Sequence, residues 1–284
     1  MTVDQDALDD WIGRTETAED EVTAAPLAGM AATLDHEPPV LKPGDAAPAG
    51  AHWMYFHTRV PQSQLDSRGH PQGDDFLPPA PLPRRMWGGG RLAFHQPLRV
   101  GERIERVSTI KNITAKQGRS GALVFVVVHH AIAGQDGLAV EEEHDIVYRE
   151  AAKPDAPPPK PQPAPADAAW SQTVEADPTQ MFRFSALTFN AARIHYDRRY
   201  VTEVEKYPGL IVNARLVAMM LIEMSQANFP GRDMTGFDFR FGRPLFDTGP
   251  FTIAGKPGDD GDSATLWAAD GEGNLSLNAE ARFG

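Results

Sequence analysis

With 284 residues, 41% of them hydrophobic, the chain has room for two cores of ordinary domain size. A formal charge of −12 excludes the basic face that phosphate backbones require, so no nucleic acid is expected among its partners. It contains no cysteine, which excludes a disulfide framework, a thiolate nucleophile and a Cys-ligated metal, and suits a reducing compartment.

Residues 1–20 are polar, with Trp11 and Ile12 as anchors. Met1–Asp10 is acidic and lacks the basic and apolar regions of a secretory signal. The spacing of Leu27, Met30, Ala31 and Leu34 predicts a helix over 23–34, with Pro26 tolerated in its first turn. Residues 36–51, rich in Pro, Gly and Ala, read as loop, and His52–Phe56 reads as a short aromatic strand. A long turn-rich segment, Pro61–Pro83, contains Gly69-His70-Pro71; loops of this length inside a domain usually serve a function or move. It ends in Arg84-Arg85-Met86-Trp87 and three glycines, which lack the Lys-Ser/Thr and helix of a phosphate-binding loop.

Three strands follow, 103–115, 122–132 and 138–149, joined by turns rich in Gly, Gln and Asp, as an antiparallel meander requires. Leu123–Val128 is continuously apolar and is expected at the centre of its sheet. Residues 153–166 carry seven prolines and cannot form ladder or helix bonds. They read as a semi-rigid linker, dividing the chain into a first domain (1–152), a linker (153–168) and a second domain (169–284).

Within the second domain, 184–197 reads as a polar loop and Pro208-Gly209 as a stop. Asn213 is then placed to N-cap a helix that is apolar on all sides from Leu216 to Met224 and therefore buried. Strands are expected over 237–241, 251–254, 264–269 and 275–282. Phe241-x-x-Pro244-Leu245 echoes Phe94-x-x-Pro97-Leu98. Two similar α+β units, duplicated and diverged, are the simplest account of that echo.

The run from Ser185 to Asp197, with Leu187-Thr188 and Ile194-His195 at its core, and the Ile211–Ala218 run resemble the MaoC-like (type 2 enoyl-CoA) hydratases. The similarity is greater to the branch with an N-terminal dehydratase-like domain, which includes mesaconyl-C4-CoA and itaconyl-CoA hydratases. Arg84-Arg85-Met86-Trp87 and Asp145–Arg149 resemble fixtures of that branch. The resemblance implies a double hot-dog fold, α+β, with two antiparallel sheets each wrapped around a helix. It also implies reversible hydration of a short, branched, carboxylated enoyl-CoA.

On that resemblance His195 and Asn190 hold the water, Asp197 assists, and the Ala214 N–H at the helix start polarises the thioester carbonyl. Arg193, Asn213, Gly209 and Arg85 complete the substrate contacts. No cofactor is implied beyond the CoA that the substrate carries, and no metal. The wider family has Asp in place of Asn190 and His-Gly in place of Asn213-Ala214. Asn190 cannot ionise, so either His195 carries most of the proton transfer or Asp197 or Glu203 helps.

Structural roles stand beside these assignments: Asn190 as a turn residue, Asp197 as the cap of a short helix over 198–205, Arg193 as a solvated charge. Glu141–Glu143 reads as a solvated face, and His129 and His130, adjacent on a strand, point to opposite sides. A hot-dog thioesterase and a non-catalytic acyl-CoA binder are the alternative functions. No apolar run approaches the roughly 20 residues that span a bilayer. A cytoplasmic protein without membrane partners, able to form a homodimer, is expected.

Overall fold

The structure is a computed structural model describing residues 5–284, apart from residues 74, 80–81, 119–120 and 151–159. A short helix α1 (Gln5–Asp9) and strand β1 (Thr15–Glu21) precede helix α2 (Ala24–Thr33). Then come β2 (Arg84–Phe94), β3 (Arg103–Gly118), β4 (Gly121–Gly134) and β5 (Gly137–Arg149). The second half comprises β6 (Trp170–Val174), α3 (Pro178–Leu187), α4 (Ala214–Asn228), β7 (Met234–Phe241), β8 (Phe251–Pro257), β9 (Ser263–Ala269) and β10 (Leu275–Phe283).

All ten strands lie in one antiparallel sheet, ordered β1-β3-β4-β5-β2-β7-β10-β9-β8-β6. Read outward from the middle, each half runs in the same sequence of elements, so the second half repeats the first about the β2–β7 junction. The echoed motifs occupy equivalent places: Phe94 ends β2 and Phe241 ends β7. The two sheets expected from the sequence are therefore joined edge to edge, Gly89–Ala93 pairing with Arg240–Gly236. This is the double hot dog.

The glycine triplet makes that junction possible. The ladder is bulged between Trp87 and Gly89, and Gly89 has φ +149°. A Cβ there would stand 2.3 Å from the Phe239 carbonyl oxygen. Only glycine lets the two central strands approach so closely. The triplet obscured β2 in the sequence. β1 and β6 were also missed, because they are polar edge strands with little apolar alternation.

Helix α4 packs on β7–β10, and Leu216, Ala218, Leu221 and Ile222 are completely buried. In β4 the apolar run resolves into alternate faces, with Val124, Val126 and Val128 buried. His52–Phe56 is not a strand: Ala51–Met54 is a 3-10 turn entered through Gly50 in the left-handed region. Every residue from Ala51 to Phe56 is buried, which the two-sided alternation of a strand on a half-solvated sheet does not produce. The end of the proline-rich segment lies on the β9–β10 turn, where Ala164 N–H donates to the Gly273 carbonyl (2.9 Å). The rest of it, residues 151–159, lies outside the described residues.

Candidate active site

Asp177 caps α3 by accepting the Thr179 N–H (2.6 Å), with Pro178 opening the helix, so 184–187, expected as the start of the polar loop, is helical. The loop proper begins at Phe189, at φ +50°, whose exposed ring stacks on His57. Two bonds to Ser185 then gather the site. Its carbonyl accepts the Asn190 N–H (2.8 Å), and its hydroxyl accepts from the Asn213 amide (3.4 Å).

His195 closes the 3-10 turn Arg193–His195 and is buried. Its Nδ1–H donates to the Ile211 carbonyl at 2.7 Å, while the Ile211 N–H donates to Ile194 O at 3.0 Å. On its other side the 210–212 segment is held by bonds to Leu245 and Asp247. The imidazole is thus fastened to the rigid strip that leads directly into α4. Burial pushes its pKa down to about 4, against a smaller upward pull from the Ile211 carbonyl; the nearby His70 adds to the lowering. With Nδ1 donating, Nε2 carries the lone pair of a neutral ring.

The nose of α4 carries unpartnered donors. Its first intrahelical bond is Val217 N–H to Asn213 O, so the N–H groups of Ala214, Arg215 and Leu216 have no partner within the helix. Asn213 occupies the N-cap position but caps none of them; its side chain is buried against Ser185 instead. That corrects the capping expectation. It also leaves the donors at the helix's positive end available to a developing oxyanion.

The structure gives several of the expected site residues other work. Asp197 accepts the Tyr200 N–H (2.9 Å) and both Nε and Nη2 of Arg193, so its carboxylate caps the short π-helical segment Tyr200–Val204. The Tyr200 bond first, then Arg193, holds it below the usual carboxylate range. Arg193 also donates to Ser67 O (2.8 Å) and lies over the Tyr200 ring, so it is held in place rather than freely solvated. Asn190 Oδ1 accepts the Ala192 N–H (3.0 Å), the turn bond, which leaves Nδ2 as the end able to meet a water. Gly209 is buried where a Cβ would come 2.4 Å from Asp247 Oδ1, so packing against Asp247 accounts for it. Arg85 is exposed on β2, and its charge reaches both His70 and His144.

The first half contributes more than the sequence indicated. The segment around Gly69 lies on the site loop: Arg68 O accepts the Arg193 N–H (3.0 Å). Gly69 has φ +89°, and a Cβ on it would fall 1.9 Å from the Ala191 carbonyl oxygen. This brings His70 beside His195. The Gly69-His70-Pro71 turn was visible in the sequence; its partner was not.

A second group was missed altogether. Glu142, expected on a solvated face, is buried and accepts from Trp53 Nε1 (3.2 Å), with His52 Nε2 at 3.3 Å. Burial alone would raise its carboxyl. The His52 bond and the charges of His52 and Arg215 more than offset that, holding it well below the usual range. His130 binds Ser108 (2.9 Å) on this inner side, while its neighbour His129 meets Glu141 (3.0 Å), opposite faces as the strand period requires.

A buried imidazole fastened beside the uncapped start of a central helix, in a double hot dog, is the arrangement that the resemblance implies for a hydro-lyase acting on acyl thioesters. Comparison with known proteins agrees. Residues 50–247 match the model of the family described as hydroxyacyl-thioester dehydratase type 2. The chain is 48% identical over 276 residues to a mesaconyl-C(4)-CoA hydratase of Chloroflexus aurantiacus, covering 96% of this chain and 97% of that one. Among solved structures, a MaoC-like dehydratase of Phytophthora capsici superposes with a TM-score of 0.72 at 15% identity, covering 99% of each chain. A Mycobacterium tuberculosis protein described as a double hot dog gives 0.56 at 12% identity, covering 96% of each chain. The chain belongs to the hydroxyacyl-thioester dehydratase type 2 family. Among the described residues, no helix is long and apolar enough to cross a membrane.

Proposed function

We propose that this protein hydrates mesaconyl-C4-CoA, or a closely similar short, branched, carboxylated enoyl-CoA, reversibly. His195 Nε2 takes a proton from a water that the Asn190 amide helps to orient. The water oxygen bonds to the β-carbon as the double-bond electrons move toward the thioester. The thioester oxygen, carrying the developing charge, lies against the Ala214 N–H and its neighbours at the nose of α4. The proton held at Nε2 is then delivered to the α-carbon, and the ring returns to neutral. Asp197, Arg193 and Gly209 act as positioning residues for the loop, and Asn213 aligns the helix start.

The observation that carries this reading is the 2.7 Å bond from His195 Nδ1 to Ile211 O, which fixes both the tautomer and the approach to α4. The 48% identity to a hydratase of that substrate supports the acyl group. The two hot-dog units (1–152 and 169–284, with 153–168 between them) are proposed as the functional halves, the first covering the site of the second; the mirrored strand order supports that division. Hydration needs no cofactor beyond the CoA of the substrate. A cytoplasmic setting and a homodimer complete the proposal.

Mass-spectrometric assay of a panel of enoyl-CoAs tests it. A hydrated thioester is expected from the carboxylated substrate, with His195→Ala reducing turnover about 100-fold or more. Release of free CoA would identify a thioesterase instead, and undiminished turnover in His195→Ala would remove that residue from the chemistry.

A further inference from the structure

Arg215 is the second residue of α4, next to the Ala214 N–H assigned to the thioester oxygen. Among the described residues it makes no hydrogen bond and no ion pair. Its guanidinium carbon lies 4.6 Å from the Trp87 ring centroid and 5.7 Å from that of Trp53. Its Nε is buried without an acceptor, and so are Trp87 Nε1 and Arg106 Nε. Three of the six buried side-chain atoms left unpartnered among the described residues therefore belong to one cluster. All three are donors that cannot accept.

The charges there do not balance. Arg215 and Arg106 both feel the charge of one buried carboxylate, Glu142, whose oxygens already receive the Trp53 indole and lie beside His52. The ion-pair partner of Arg106 is Glu16, 3.6 Å away toward the surface. The buried histidines here, His130 and His144, are both driven toward neutrality, mainly by burial. A guanidinium whose Nε is shut away from water without an acceptor persists at a cost unless something supplies an anion.

We infer that Arg215, set between Trp53 and Trp87 with Arg106 behind it, is the specificity-determining residue that receives the free carboxylate of the acyl group. The inference rests on the hydratase reading above and deepens it. The substrate brings its own anion. Its thioester oxygen meets the helix nose, and its second carboxylate lies at the far end of a short unsaturated spacer, beside the next residue of the same helix. An uncharged acyl chain leaves the unpartnered donors unsatisfied and is rejected for that reason.

The test compares kcat/KM for mesaconyl-C4-CoA with that for crotonyl-CoA, an uncharged enoyl ester of similar length, in wild type, Arg215→Met and Arg215→Lys. Methionine keeps the apolar stem against the rings but removes the charge. The ratio of carboxylated to uncharged substrate is expected to fall about 100-fold or more in Arg215→Met, and about tenfold in Arg215→Lys, which keeps the charge but loses the planar fork. Both substrates declining in step would show that Arg215 merely supports the helix and would overturn the inference. Should Arg215→Met fail to fold, an unaltered ratio in Arg215→Lys overturns it. A wild type that hydrates neither ester removes the hydratase reading alone. Calorimetric affinities of the two esters for wild type and for the Arg215 variant that folds then decide: selective weakening of the carboxylated ester sustains the assignment, and equal weakening refutes it.

Discussion

Acidification separates two accounts of His195. A histidine of ordinary pKa near 6.5 is about 10% neutral at pH 5.5, whereas one at about 4 is about 97% neutral. The neutral ring is the form that takes a proton from water. Between pH 7.5 and 5.5, kcat/KM should therefore hold to within about a tenth if burial sets the pKa, and fall about tenfold if it does not. The same shift has a sign in stability. The unfolded chain takes up the proton as pH falls through about 6.5, and the folded chain does so only near 4. The contribution is complete above the unfolded value and is lost as pH falls toward the folded one, reaching at most about 3 kcal/mol. His195→Asn, whose amide can keep the bond to the Ile211 carbonyl, should abolish that part. The difference in urea stability between wild type and variant would then shrink between pH 7.5 and 4.5. Hydration rates followed by the absorbance of the conjugated thioester supply the kinetic arm. An acid limb centred near 6.5, with a stability difference independent of pH, would refute the buried-base account.

Leu221→Ala should destabilise the protein by about 3 kcal/mol, since Leu221 is completely buried in the core of α4. Thermal melting should show a fall of roughly 10 °C. Gly69→Ala forces a Cβ onto the Ala191 carbonyl at φ +89°. It should cost about 1–3 kcal/mol locally, read as faster hydrogen exchange over residues 64–72 and a raised KM, with little change in melting; a fall as large as that of Leu221→Ala would contradict a local effect. Glu142→Gln removes the one buried carboxylate whose charge reaches both Arg215 and Arg106 and should cost about 3–5 kcal/mol in urea unfolding. Adding Arg215→Met should recover part of that loss, and strict additivity would show that the charges are not coupled. Asp197→Ala removes the cap on the Tyr200 N–H, and its turnover should fall far less than that of His195→Ala, a comparison made in the same assay.

The local sequence pattern determined much of the architecture. The β3–β4–β5 meander, the buried helix from Ala214 and the strands β7 to β10 follow from periodicity, turn residues and apolar content, which depend on neighbours along the chain. His195 and its loop were found through a short run of residues bearing a family resemblance. What escaped depended on neighbours distant in sequence. The glycine triplet is a strand because Phe239 crosses it, and Glu142 is buried because His52 and Trp53 fold back over it from about ninety residues away. Asp197 and Arg193 are held by Tyr200 and Ser67, which no spacing rule links to catalysis. Charge type is written in the sequence, but whether a charge meets water, a partner or an unfilled space is a property of the folded surroundings. Arg215 shows the distinction: as a letter it interrupts an apolar helix, and only the two indoles packed beside it leave its Nε shut from water without an acceptor.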